Sequence, residues 1–142
     1  MSKGNTFEND LLKLIFQATA IANIADNAAS SALTNLYVSL HTGDPGEAGD
    51  QETSEADYSG YDRVAVARSG SGWTVTNNSV SPAANIDFPE SAGSGTTLTH
   101  FAVGTAASGA GKVLYSGALS AGIDVVAGTI PRLKTTSAIT ED

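Results

Sequence analysis

The sequence predicts a mainly β protein: an antiparallel β-sandwich or jelly roll with one N-terminal α-helix. Three observations carry that reading. Beyond residue 35, apolar residues recur with a period of two in short runs. Turn signals built from Gly, Asn and Pro separate those runs about every ten residues, the spacing of antiparallel β domains. A helical period appears only near the start of the chain, so the helices that a parallel α/β enzyme needs between its strands are not expected.

The helix is expected over residues 6–25. Asn5 is placed to cap it, Glu8 follows three residues on as in a capping box, and Glu8 with Asp10 favours the positive end of the helix dipole. Phe7, Leu11, Leu14, Ile15, Ala18 and Ala22 fall at helical spacing and make one apolar stripe, which Leu12, Phe16 and Ile21 widen. A helix this apolar has to pack on something, either its own β domain or a symmetry mate or docking partner. Residues 1–35 are therefore read as a helix and linker serving as anchor or oligomerisation element, and residues 36–142 as the β domain. Glu8 and Asp10 precede the apolar run Leu11–Ala25 and Lys13 interrupts it, so it is not read as a signal peptide, and it is too short and polar to span a membrane.

In the β region, Leu36, Val38 and Leu40 alternate with Tyr37, Ser39 and His41, the pattern of a half-buried strand. Residues 42–60 follow as a long loop carrying Asp44, Glu47, Asp50, Glu52, Glu55 and Asp57 with no basic residue, expected to be a solvated surface loop. Strands are then expected at Tyr61–Arg68 and Trp73–Thr76, with a tight turn at Asn77–Asn78, since Asn tolerates positive φ. Val80, Ile86 and Phe88 mark short strands, and longer ones are expected at Thr97–Thr105, Lys112–Leu119, Ile123–Val126 and Thr129–Lys134.

A length of 142 residues suits one core, and charged residues are only 15% of the chain. The net charge of −8, with seven Lys and Arg that do not cluster, argues against a nucleic-acid partner, which needs cations to displace phosphate counterions. With no cysteine, disulfides and thiolate metal sites are excluded. His41 and His100 lack the spacing of a metal pair, and no Gly-x-Ser-x-Gly elbow accompanies the serines. Residues 42–60 lack the Asp-x-Asp-x-Asp-Gly order of a calcium loop, and the glycine-rich turns do not open a helix as phosphate loops do. No catalytic, cofactor-binding or metal residue is assigned, and no cofactor is expected. The stripe Phe7, Leu11, Leu14, Ile15, Ala18 and Ala22 is the candidate interface, and Asp44, Glu47, Asp50 and Trp73 are possible surface contacts. Trp73 and the tyrosines fit either core packing or a glycan platform.

A set of motifs then gives a resemblance. The run Leu36-Tyr-Val-Ser-Leu-His-Thr-Gly-Asp-Pro-Gly-Glu-Ala-Gly49, the segment Gly60-Tyr61-x-Arg63-Val-Ala-Val and Gly72-Trp73-Thr-Val resemble small virion proteins of tailed bacteriophages, labelled tail-fibre or head-fibre proteins. Ile86-x-Phe88-Pro89, Thr97-x-Thr99-His100-Phe101-Ala-Val-Gly104, Gly111-Lys-Val-Leu-Tyr115-Ser-Gly-Ala-Leu119 and Pro131-Arg-Leu extend the likeness over residues 33 to 140. The resemblance implies a non-enzymatic structural component on the outside of a phage particle, oligomeric, made in the host bacterial cytoplasm and partnered by other phage virion proteins. Within that frame the chain is expected to be a fibre-like or decoration accessory acting through subunit contacts, with no nucleic-acid or membrane partner. The alternative is a receptor- or glycan-binding module at a fibre tip, facing a bacterial surface receptor. A third reading, a small hydrolase, would draw its carboxylates from Asp44, Glu47 and Asp50.

Overall fold

A computed structural model describes residues 3–21, 24–25 and 32–141. Among the described residues the chain forms α1 (Asn5–Gln17), β1 (Asn35–His41), β2 (Val64–Ala67), β3 (Trp73–Thr76), β4 (Ser79–Pro82), β5 (Ile86–Asp87), β6 (Thr97–Gly104), β7 (Val113–Asp124), β8 (Arg132–Leu133) and β9 (Ile139–Thr140). The fold is mainly β with an N-terminal helix, as its periodicity predicts. Its strands form a four-stranded sheet in the order β2-β1-β6-β7, a three-stranded sheet in the order β3-β4-β9, and a β5-β8 ribbon. The pairings β1–β6, β6–β7, β3–β4 and β4–β9 are all antiparallel. The chain divides into two compact units, one of Met1–Asn35, Val66–Ile86 and Leu133–Asp142, the other of Leu36–Ala65 and Asp87–Arg132.

In the first unit the helix departs from expectation at both ends. Gly4 occupies the N-cap in extended conformation and no side chain caps it, so Asn5 is the first helical residue and the capping box with Glu8 does not form. The helix stops at Gln17, where Ala18 turns left-handed at φ 55° and the Thr19 amide donates back to Lys13 O at 3.1 Å. Left-handed geometry at a helix end usually falls to glycine, and Ala18-Thr-Ala gives no such signal. What holds the end comes from elsewhere in the unit. Arg68 donates from Nη2 to Leu14 O and from Nε to Ile15 O, both at 2.6 Å, and Gln17 Nε2 donates to Trp73 O at 3.1 Å. The guanidinium satisfies carbonyls that have no intrahelical partner and sets a positive charge against the negative end of the helix dipole.

Leu12 and Phe16, four residues apart on α1, are fully buried, and the Phe16 ring meets Trp73 edge-on at 4.8 Å between centroids. The β3–β4 hairpin closes through Asn77-Asn78, with Thr76 opposite Ser79 and Asn77 at φ 54°, as the two asparagines predict. β9 pairs Ile139 with Val80, and the Glu141 amide donates to Asn78 O at 2.8 Å. The sequence does not predict a strand in the C-terminal tail, because Ile139 alone is a poor period-two signal.

In the second unit β1 and β6 pair in unbroken register from Tyr37–Gly104 to His41–His100. The two strands expected at Lys112–Leu119 and Ile123–Val126 are one continuous strand, β7. Its register against β6 slips between the pairs Leu98–Ile123 and His100–Ala118, which hides the continuity in the sequence pattern. The strands expected at Tyr61–Arg68 and Thr129–Lys134 shorten to β2 and β8.

Candidate functional site: a pinned acidic loop and a two-faced helix

Residues 42–60 do not form the solvated loop their composition suggests. They fold back over one face of β1, which is why Ser39 and His41 are as buried as Leu40. The Thr42 amide donates to Ser54 O and the Ala56 amide to Leu40 O, both at 2.8 Å. His41 Nδ1 lies 2.9 Å from Thr53 O, and its Nε2 lies 2.9 Å from Ser39 Oγ. A carbonyl can only accept, so Nδ1 carries the proton and Nε2 accepts from the serine hydroxyl, the neutral tautomer. Burial lowers the His41 pKa; Arg63 and His100 push the same way, while Thr53 O and Glu55 oppose. His41 and His100 are cross-strand partners, but His100 Nδ1 is bonded to Thr99 Oγ1 at 2.9 Å, and His41 has no ring nitrogen left for a metal. Among the described residues, no group of three or more His, Cys, Asp or Glu side chains could hold a metal ion.

Gln51 is the second pin. Its side chain is fully buried and acts as a strut: Nε2 donates to Tyr37 O at 3.2 Å, Oε1 accepts from the Ala106 amide at 3.0 Å, and the Gln51 amide donates to Gly111 O at 2.9 Å. Two glycines make room for it. A Cβ on Gly104 would lie 2.6 Å from Gln51 Cγ and closer still to its amide, and one on Gly111 would meet Gln51 Oε1 and stand 2.6 Å from Ala106 Cβ.

Arg63 is the third. Its Nε and Nη2 grip Glu55 Oε1 and Oε2 at 2.6 and 2.7 Å, while Nη1 and Nη2 also donate to Ala106 O and Gly109 O at 3.0 and 2.8 Å. The Tyr61 hydroxyl donates to Glu55 Oε1 at 2.9 Å and accepts from the Leu40 amide at 3.1 Å; burial raises its pKa well above the usual phenol value. Sequence reasoning missed His41, Gln51 and Arg63 as a set because a buried polar residue looks like a surface residue until its partners are known.

The candidate surface residues separate accordingly. Asp50 is half-buried and structural, its Oδ1 accepting from the Glu52 and Thr53 amides at 2.9 and 3.2 Å. Asp44 and Glu47 are exposed, with Asp44 Oδ1 also receiving the Gly46 amide at 2.9 Å, and both border a groove whose other wall is Val113–Ser116 of β7. Trp73, a candidate for the surface, is only 2% exposed, so its indole faces the interior of the first unit and not a ligand.

On α1 the inward stripe is Glu8, Leu12 and Phe16. The candidate stripe lies off that line: Phe7 is 41% exposed, and Leu11, Leu14, Ile15 and Ala18 are half-buried. Ala22 lies outside the described residues. Beside the helix, the polar side chains of Asn5, Thr6, Glu8, Asn9, Lys13 and Asn77 line an open cleft.

Compared with known protein families, residues 3–140 match the family described as podophage GP4 fiber I protein gp80. No curated protein matches the chain.

Proposed function

The chain belongs to the podophage GP4 fiber I protein family, and from that premise we propose that this small tailed-phage fibre protein is a non-enzymatic accessory on the particle exterior that works through subunit contacts. It is expected to self-associate, to bind other virion proteins, and to do so after synthesis in the host cytoplasm. The outer face of α1 serves as the attachment surface. One observation carries this: the helix packs its own unit with Leu12 and Phe16 and still leaves Phe7 exposed and Leu11 and Leu14 only partly covered. An apolar face that the fold does not need is retained at a cost in solubility, and contact with a partner explains it.

The test is Leu11→Gln with Leu14→Gln in a phage carrying the altered gene. The subunit should fold, with unchanged emission from Trp73, and be missing from purified particles. Normal incorporation of that variant would overturn the anchoring role.

A second reading, receptor binding at a fibre tip, is favoured by the cleft beside α1. Its lining is polar, Glu8 and Lys13 balance in charge, and amide side chains match the paired donors and acceptors of sugar hydroxyls. Titrating the isotope-labelled chain with bacterial surface polysaccharide should perturb the side-chain amides of Asn5, Asn9 and Asn77. Unmoved amides would remove this reading.

A further inference from the structure

We propose that the cleft beside α1 binds a zwitterionic saccharide, one whose neighbouring rings carry a free amine and a carboxylate. The inference rests on the fibre-tip reading of this cleft and names the class of sugar it would hold. Glu8 carries it. The residue lines the cleft and is only 8% exposed, yet its carboxylate makes no hydrogen bond or ion pair among the described residues. A carboxylate drawn out of water with no donor or cation beside it is held at a cost, which the positive end of the helix offsets only in part. A ligand ammonium removes that cost, because a charge-assisted hydrogen bond gains most where water is already excluded.

Lys13 supplies the opposite charge. It lines the same cleft about 7.5 Å further along the helix axis, and among the described residues it pairs neither with Glu8 nor with any other acid. Separated charges that do not neutralise each other match a ligand carrying the same charges in reverse. Around them Asn5, Thr6 and Asn77 offer the donors and acceptors that sugar hydroxyls need. Asn9 Nδ2 donates to Asn77 O at 2.7 Å, which ties the helix to the β3–β4 hairpin and sets the cleft before a ligand arrives. Its volume of about 830 Å³ is far more than an ion requires and suits an oligosaccharide. The net charge of −8 repels a purely anionic polymer, whereas a ligand of balanced charge approaches without that penalty.

The experiment titrates the full, isotope-labelled chain with oligosaccharides of equal length. De-N-acetylated heparosan alternates glucosamine with glucuronate and carries both charges, heparosan keeps only the acid, and chitosan keeps only the amine. The first should bind roughly tenfold more tightly than either of the others and move the side-chain amides of Asn5, Asn9 and Asn77. Glu8→Gln should erase its advantage over heparosan, and Lys13→Gln its advantage over chitosan, with Trp73 emission unchanged as the control for folding. Damage to the fold would not give that reciprocal pattern. Equal binding of all the probes, binding of none, or an advantage over heparosan that survives Glu8→Gln would overturn the proposal. If bacterial surface polysaccharide moves these amides while de-N-acetylated heparosan does not, the fibre-tip reading stands and the zwitterionic class falls, so the two can fail separately.

Discussion

Arg63 and Glu55 meet fork to fork beneath the acidic loop, two parallel N–H···O bonds joining a guanidinium whose side chain is 3% exposed to a carboxylate at 16%. The remaining donors of Arg63 hold Ala106 O and Gly109 O, so one side chain ties residue 55 to the turn between β6 and β7. Removing one partner strands the other charge out of water, which costs far more than the pair gains. Arg63→Ala should therefore destabilise the chain by about 3–5 kcal/mol in urea unfolding. Glu55→Gln with Arg63→Met should cost less than the sum of the single changes. Strict additivity would show that the two residues do not act as a pair.

Gly104 and Gln51 form a size-matched contact, since any side chain on residue 104 enters the volume of the buried amide. Gly104→Ala should cost about 1–3 kcal/mol by overpacking. Gln51→Ala removes the obstruction but leaves the Tyr37 carbonyl and the Ala106 amide without their side-chain partner. The double variant should be more stable than the two single costs predict, as a double-mutant cycle would measure.

Much of this fold is legible in the sequence, and what is not has a definite physical origin. Alternation at Leu36–Leu40 and the Asn77–Asn78 turn are local signals, and both appear where expected. The end of α1 is not local, because Arg68, fifty residues on, supplies the donors that let it stop at Gln17. The acidic loop reads as solvated because its pins are Gln51, His41 and Arg63, polar side chains whose burial depends on partners distant in sequence. On the helix, periodicity shows apolar positions on more than one face. The tertiary partners of α1 on β3 and β4, Trp73 against Phe16 among them, decide that Leu12 and Phe16 turn inward while Phe7 does not.

His41 gives the chain a pH dependence of known sign. Its folded pKa lies below the ordinary 6.5, so below that pH the unfolded chain binds a proton that the folded chain resists. Stability contributed by the neutral, buried ring is present above pH 6.5 and is lost as pH falls toward the folded value, with a slope of at most about 1.4 kcal/mol per pH unit. His41→Gln should flatten the difference in unfolding free energy between pH 7 and pH 5. An unchanged slope would mean that carboxylates alone account for the acid sensitivity.

The two faces of α1 give the last prediction, which separates packing from attachment. Leu12 is fully buried beside Phe16, whereas neighbouring Leu11 is half-exposed, although sequence alone makes them equivalent. Leu12→Ala should leave a cavity and cost about 2–5 kcal/mol. It should also loosen the first unit enough to shift Trp73 emission to the red. Leu11→Ala should cost less, about 1–2 kcal/mol, because Leu11 keeps part of its surface in water within the chain. If Leu11→Ala instead destabilised the free chain as much as Leu12→Ala, the outer stripe would belong to the subunit's own core. Its exposure would then no longer argue for a partner.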